Sequence, residues 1–256
     1  MRRRPFSKLR PRKNGVGVAQ EIEIKLAGEP RLLAALRKKS RLAGHALSRA
    51  TTRTIDTTYF DSENFSLAKH KIALRIRKRG HTYEQTAKID SGAKGMAAMR
   101  SEISAMLGTP RPDPKRVSDS EIRKRVEKLL ARGLLKPRCK TLVKRTTRML
   151  KTKSGDRIEL AFDTGQLIAL DGGARTKAPI AELEFELKSG NPKNLSLLAR
   201  QVAEEFPVRL SLRSKADCGF DLLRGHAAKP RKAGAIALPE DSTRSEERRV
   251  GKECRL

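Results

Sequence analysis

The stretch Glu21-Ile22-Glu23-Ile24-Lys25 alternates charged and apolar residues with the period of a β-strand, and Glu182-Leu183-Glu184-Phe185-Glu186 repeats the pattern towards the other end of the chain. Successive strand side chains point to opposite faces, so Glu21, Glu23 and Lys25 share one face and Glu182, Glu184 and Glu186 share another. Five carboxylates are therefore expected on one polar surface, with Ile22, Ile24, Leu183, Phe185 and Leu187 buried behind it. At an effective dielectric near 20, two like charges about 4 Å apart repel by roughly 4 kcal/mol. Facing carboxylate strands thus need cations between them, and hard divalent metals with oxygen ligands meet that need. Taken singly, each run also reads as an amphipathic edge strand with solvated glutamates.

Parity extends the pattern. Strands are predicted at 54–60, 71–79, 82–89, 141–150, 156–163 and 180–188. Arg75 and Arg77 project opposite Ile72, Leu74 and Ile76; Lys88 shares a face with Glu84 and Thr86; Glu159 and Asp163 lie opposite Ile158, Leu160 and Phe162. No apolar run is available to fill a barrel interior. A closed or nearly closed antiparallel sheet is expected instead, charged inside and covered outside by helices, an α+β arrangement. Outer-membrane barrels, with strands of roughly 9–11 residues and few intervening helices, are rejected.

Helices are predicted over 30–42, with Leu32, Leu33, Leu36 and Leu42 as the apolar stripe; from a Ser118/Glu121 capping box to Gly133; from Asn191-Pro192 through Leu195, Leu198, Val202 and Phe206; and from near Ser214.

The chain has 256 residues and a formal net charge of +29. Residues 1–14 carry seven Lys or Arg and no acid, and residues 111–148 hold fourteen bases against four acids. Such a surface attracts polyanions, polyphosphate or nucleic acid. Aromatic residues make up only 4% with no Trp, so base-stacking platforms are poorly supplied. No run of 18 apolar residues exists, so no transmembrane helix is expected, and Met1–Lys13 lacks the apolar core of a secretory signal. A cytoplasmic location is expected, and Cys139, Cys218 and Cys254 are widely spaced as free thiols. The four histidines show no ligand-like pairing, and no phosphate-binding P-loop sequence is present.

The order Glu21-x-Glu23-x-Lys25, Arg75-x-Arg77, Lys88, Arg100-x-Glu102, Arg145, Glu159 with Asp163, Glu182-x-Glu184-x-Glu186 and Ser214-Lys215-Ala216 resembles the CYTH superfamily of triphosphate tunnel metalloenzymes. Tyr59-Phe60-Asp61 looks like a further family segment, and the likeness runs from about residue 18 to 225. It implies an eight-stranded antiparallel tunnel with a charged lumen that binds a linear triphosphate. Lys25, Arg75, Arg77, Lys88, Arg100, Arg145 and Lys215 would be the phosphate ligands, arginine forks suiting bidentate contact. Glu21, Glu23, Glu159, Asp163, Glu182 and Glu184 would hold Mg2+ or Mn2+. Lys25, Arg75, Arg77, Lys88 and Glu159 would be catalytic, in metal-assisted phosphoanhydride hydrolysis by in-line attack of water.

The leading expectation is an inorganic triphosphatase converting tripolyphosphate to pyrophosphate and phosphate. Alternatives are an organic triphosphate substrate, as in a thiamine triphosphatase or a class IV adenylate cyclase, and a non-catalytic binder of polyphosphate or nucleic acid. Homodimerisation is expected by analogy only. Residues 1–17 read as a basic disordered arm, 18–225 as the tunnel domain and 226–256 as linker and tail. Arg244–Arg255 resemble translated sequencing-adapter read-through. The natural protein is accordingly expected to continue differently, with a helical, His-rich CHAD domain.

Overall fold

The computed structural model describes residues 17–94, 97–170 and 176–225; the tail and nearly all of the basic arm lie outside the described residues. In chain order the elements are β1 (Gly17–Ala27), α1 (Pro30–Leu36), β2 (Arg41–Leu42), β3 (His45–Ala46), β4 (Thr51–Asp61), α2 (Ser66–Lys69), β5 (Ile72–Arg79), β6 (Thr82–Lys94), β7 (Ala97–Leu107), α3 (Ser120–Ala131), β8 (Lys136–Lys151), β9 (Arg157–Ala169), β10 (Lys177–Ser189), α4 (Pro192–Glu205), β11 (Arg209–Leu210) and α5 (Lys215–Leu223). A 3-10 turn, Pro114–Arg116, precedes α3.

Hydrogen-bonded neighbours run β10-β9-β8-β4-β5-β6-β7-β1, and β1 pairs back onto β10. Eight long antiparallel strands thereby close into a ring, as expected; the two-residue β11 adds a ninth beside β1. Ring closure removes the free edges that an open sheet would expose.

The outward faces carry two cores. Ile24, Leu26, Leu160, Phe162, Leu183 and Phe185 pack against Leu33 and Leu36 of α1 and Leu195, Leu198 and Val202 of α4. On the far side Leu74, Ile76, Ala87 and Ile103 pack against Ile122, Val126 and Leu129 of α3. The alternation that buries these residues turns their charged neighbours into the lumen.

Several expectations are corrected. The helix from 30 ends at Leu36, and the chain then turns through positive φ at Ala43 (44°) and Gly44 (75°) between β2 and β3; Leu42 is buried from a strand. Asp119, not Ser118, caps α3, accepting from the amides of Glu121 and Ile122. The capping box occurs instead at α5, between Ser214 and Asp217. Strand β7 has no counterpart among the strands predicted from alternation.

The largest correction concerns the interior. At the end of the ring where β4 finishes and β8 begins, the inward residues Ile55, Tyr59, Cys139, Val143, Leu167 and Ile180 form an apolar cluster with Phe65 and with Ala216 and Phe220 of α5. Helix α5 thus closes that mouth. It packs so tightly on β8 that a Cβ on Gly219 would lie 2.3 Å from Cys139 Sγ. The Cys139 thiol, pushed up to about 12 by burial, is an inert packing group.

Polar knots hold the ends. Asp61 accepts from the amides of Ser62, Leu67 and Ala68 and so fixes the turn into α2. Asp156 accepts from Thr152 (2.6 Å), Ser154 (2.7 Å), Asn194 (2.7 Å) and the Asn191 amide (2.7 Å), tying the β8–β9 turn to α4. These hydrogen bonds, that from Thr152 foremost, hold its carboxyl well below the usual carboxylate range. Gly190 (φ 121°) approaches it so closely that a Cβ would lie 2.0 Å from Asp156 Oδ1.

Candidate active site

Strand register decides which charges meet. Lys25 of β1 faces Glu184 of β10, Glu182 faces Asp163 of β9, and Asp163 faces Arg145 of β8. Residues opposite one another in an antiparallel pair share a face with Cβ atoms about 5 Å apart. Lys215, the first residue of α5, enters the same space from the closed end. Its Nζ lies 2.7 Å from Glu182 and from Glu184 and 2.9 Å from Asp163. Arg145 forks onto both oxygens of Asp163 and also reaches Glu184. Lys25 stands 3.6 Å from Glu184 and 3.8 Å from Glu182, and donates to the Arg213 carbonyl at 3.2 Å.

This cluster is buried, so charge compensation sets its ionisation. Burial works to raise the Glu184 carboxyl, but Arg145, Lys215 and Lys25 together hold it well below its ordinary value. Burial opposes the Lys215 ammonium in turn, while Asp163, Glu184 and Glu182 hold it well above the usual lysine value. Lys25 is raised in the same way, against burial, chiefly by Glu182.

Oxygens of Asp163, Glu182 and Glu184 come within 4.8 Å of one another. Glu182 Oε2 is buried and, although 2.7 Å from Lys215 Nζ, lacks an aligned hydrogen bond. Three convergent carboxylate oxygens, one of them poorly satisfied, suit a hard divalent cation.

A second cluster lies across the lumen on β5, β6 and β7. Arg75 donates to Glu102 at 3.0 Å, and Lys88 bonds Glu21 at 2.5 Å and lies 3.6 Å from Glu102. Burial works to raise the Glu102 carboxyl, but Lys88 and Arg75 hold it below the usual range. Arg77 differs: its hydrogen bond goes to Thr57 Oγ1 at 3.4 Å, and among the described residues no carboxylate pairs with it. Burial first, and Arg75 second, push its pKa down to about 9. An arginine so placed is short of negative charge.

Of the six metal ligands predicted from the sequence, three converge. Glu21 is engaged by Lys88; Glu23 faces Glu186 across the β1–β10 pair; Glu159 faces Glu186 across β9–β10, both near Lys188 at 3.7 and 2.6 Å. Among the predicted phosphate ligands, Lys25, Arg145 and Lys215 surround the acidic trio, while Arg75, Arg77 and Lys88 form the second cluster. The Arg100 backbone pairs with Glu21, and its side chain lies outside the described residues. Glu102, which joins Arg75 to Lys88, stands in the Arg100-x-Glu102 motif with no role assigned from the sequence; strand register across β5, β6 and β7 is what identifies it. At the mouth opposite α5, inward positions Arg53 and Met106 are exposed, and Arg79 pairs with Glu84 at 2.8 Å.

Residues 19–217 match the family model of the CYTH domain. An inorganic triphosphatase of Haemophilus influenzae is 30% identical over 202 residues, covering 78% of this chain and 54% of that protein. The chain therefore spans about half the length of that curated relative. A solved structure of a candidate adenylyl cyclase from Hippeastrum, described as having a dominant triphosphatase activity, aligns with a TM-score of 0.50 at 19% identity, over 81% of this chain and 97% of that one. At that identity the likeness speaks to the fold alone. Another candidate adenylate cyclase, from Bacillus halodurans, aligns with a TM-score of 0.49 at 17% identity over 77% and 95% of the two chains. Closed ring, ordered motifs and family match agree: the chain belongs to the CYTH domain family.

Proposed function

We propose that this protein hydrolyses inorganic triphosphate to pyrophosphate and phosphate with the help of a divalent metal. One observation carries the reading: Arg77, beside Arg75 and without a carboxylate ion pair among the described residues, faces a lumen whose opposite wall holds a convergent carboxylate trio. A linear phosphate chain supplies the anion that Arg77 lacks. The homologous inorganic triphosphatase supports the same class of substrate.

Asp163, Glu182 and Glu184 would hold Mg2+ or Mn2+, with Glu21, Glu23 and Glu159 as further acidic groups. When bound, such an ion neutralises phosphate charge and lowers the pKa of a coordinated water. The protein's own residues bind and orient. Arg75 and Arg77 fork onto non-bridging oxygens and stabilise charge that builds up as the anhydride breaks. Lys88 and Lys25 approach the chain from either side. Lys215 and Arg145 hold the acidic trio in place. Glu159, half-buried near Lys188, would accept a proton from incoming water.

Of the inward-facing rings, Phe65 and Phe220 lie in the apolar plug and Tyr59 alone, opposite Arg75, borders the charged lumen, so among the described residues stacking on an organic head group is poorly supplied. This favours an inorganic substrate over thiamine triphosphate or ATP. No helix of the described residues is long and apolar enough to cross a membrane, which fits a cytoplasmic enzyme. Association into a homodimer is part of the same reading. Phosphate release from tripolyphosphate, measured with Mg2+, with Mn2+ and with chelator, tests it. Release that requires metal and disappears in Glu184→Gln supports the proposal; no release under any condition defeats it.

A further inference from the structure

We propose that the outer face of α3 and the 3-10 turn before it form a docking track for long-chain inorganic polyphosphate. The choice of polyphosphate as occupant rests on the triphosphate reading of the lumen. The buried side of α3 is Ile122, Val126 and Leu129. Its solvent side presents Lys124, Arg125, Lys128 and Arg132, all exposed. Spacings of three, four and seven residues set these cations in one stripe. Glu121 offsets only Lys124, at 3.5 Å between two side chains each 72% exposed, an ion pair of little strength.

The stripe continues towards the exposed mouth of the tunnel. Strand β7 ends at Leu107, paired with Tyr83 beside the β5–β6 turn at that mouth. The chain then passes exposed Arg111, Lys115 and Arg116 before entering α3. Gln85 fixes this passage, exchanging two 2.8 Å hydrogen bonds with the Asp113 backbone. In chain order, exposed cations thus join the helix to the strand end at the mouth opposite α5.

Charge complementarity selects a polyanion, since residues 111–132, which make up the track, carry eight bases against four acids. Residues 108–136 contain no aromatic side chain, so nothing on the track stacks on a base. A flexible chain that is all phosphate matches this surface better than a nucleic acid does.

The test uses the full chain and equilibrium binding of long-chain polyphosphate, duplex DNA and single-stranded RNA at equal phosphate concentration and at two salt concentrations. Two quadruple variants remove the same charge: Lys124→Gln, Arg125→Gln, Lys128→Gln and Arg132→Gln on α3, and Lys38→Gln, Lys69→Gln, Lys153→Gln and Lys193→Gln elsewhere. Loss of four phosphate contacts is expected to weaken polyphosphate binding about tenfold or more and to lower its salt slope by about 3 in the α3 variant, with the second variant close to wild type. Equal weakening in both variants, unchanged binding in the α3 variant, or equal affinity for DNA or RNA would overturn the proposal. Tripolyphosphate hydrolysis is measured alongside. Its absence from the wild-type protein defeats the proposed activity, whereas the binding comparison judges the track separately.

Discussion

Lys215 places one ammonium within 2.9 Å of Asp163, Glu182 and Glu184 together, and it does so from a helix that plugs the tunnel rather than from a tunnel strand. Three carboxylates this close are tolerable only with cations among them, so Lys215 stabilises both the metal-free site and the seating of α5. Lys215→Met is expected to lower kcat/KM for tripolyphosphate by about 100-fold, corresponding to about 3 kcal/mol. Removing one partner from a buried ionic group is also expected to lower the melting temperature. Mg2+ should restore more of that temperature in the variant than it adds to the wild type. A melting temperature unmoved by the substitution would count against this role.

Arg77 supplies the opposite case. Because burial and Arg75 disfavour its charge and no described carboxylate forms an ion pair with it, Arg77→Ala should leave stability unchanged or slightly raised. Turnover should nevertheless fall, by roughly 100- to 1,000-fold in kcat/KM, as when a donor to developing charge is removed. Arg77→Lys should recover only part, since a point charge replaces a planar fork. Steady-state kinetics alongside thermal denaturation checks both halves.

The seating of α5 is testable without touching a charged residue. In Gly219→Ala the new methyl would overlap Cys139 Sγ, and overpacking of this kind costs about 1–3 kcal/mol. The helix must shift and carry Lys215 with it, so activity should fall although residue 219 meets the apolar plug and not the charged cluster. Cys139→Ala makes room, and the double variant should recover stability and activity beyond the sum of the two single effects.

Stability should respond to pH through Asp156. Its folded pKa is depressed, so its contribution is fully present above the unfolded value near 3.9 and is lost as pH falls through the lower folded value. Asp156→Asn should cost about 1–3 kcal/mol near pH 7, and its melting temperature should decline less steeply than that of the wild type below about pH 4. Parallel curves for the two proteins would remove Asp156 from the account.

Much of this architecture could be read from alternation. The runs around Glu21 and Glu182 were legible because glutamate against isoleucine, leucine or phenylalanine gives maximal contrast at period two. Strand β7 was not, since Ala97, Ala98, Ser101, Ser104 and Ala105 blur the contrast between faces. The apolar plug was hidden for another reason. Val143 and Arg145 share a face of β8, as Asp163 and Leu167 share one of β9, so parity places them inside together; only ring closure and the arrival of α5 show that the two ends of one face meet different surroundings. Pairing partners were equally out of reach. Glu102 serves both Arg75 and Lys88 through register across three strands, which no local pattern encodes.

Arginines and a convergent carboxylate trio are proposed to act together on one short phosphate chain inside the ring. Phosphorus NMR of tripolyphosphate incubated with the full chain and Mg2+ or Mn2+ examines this most directly. Equimolar pyrophosphate and phosphate, formed by the wild type and by neither Glu184→Gln nor Arg77→Ala, is the predicted spectrum. Intact tripolyphosphate with the wild type, or undiminished conversion by both variants, would contradict it.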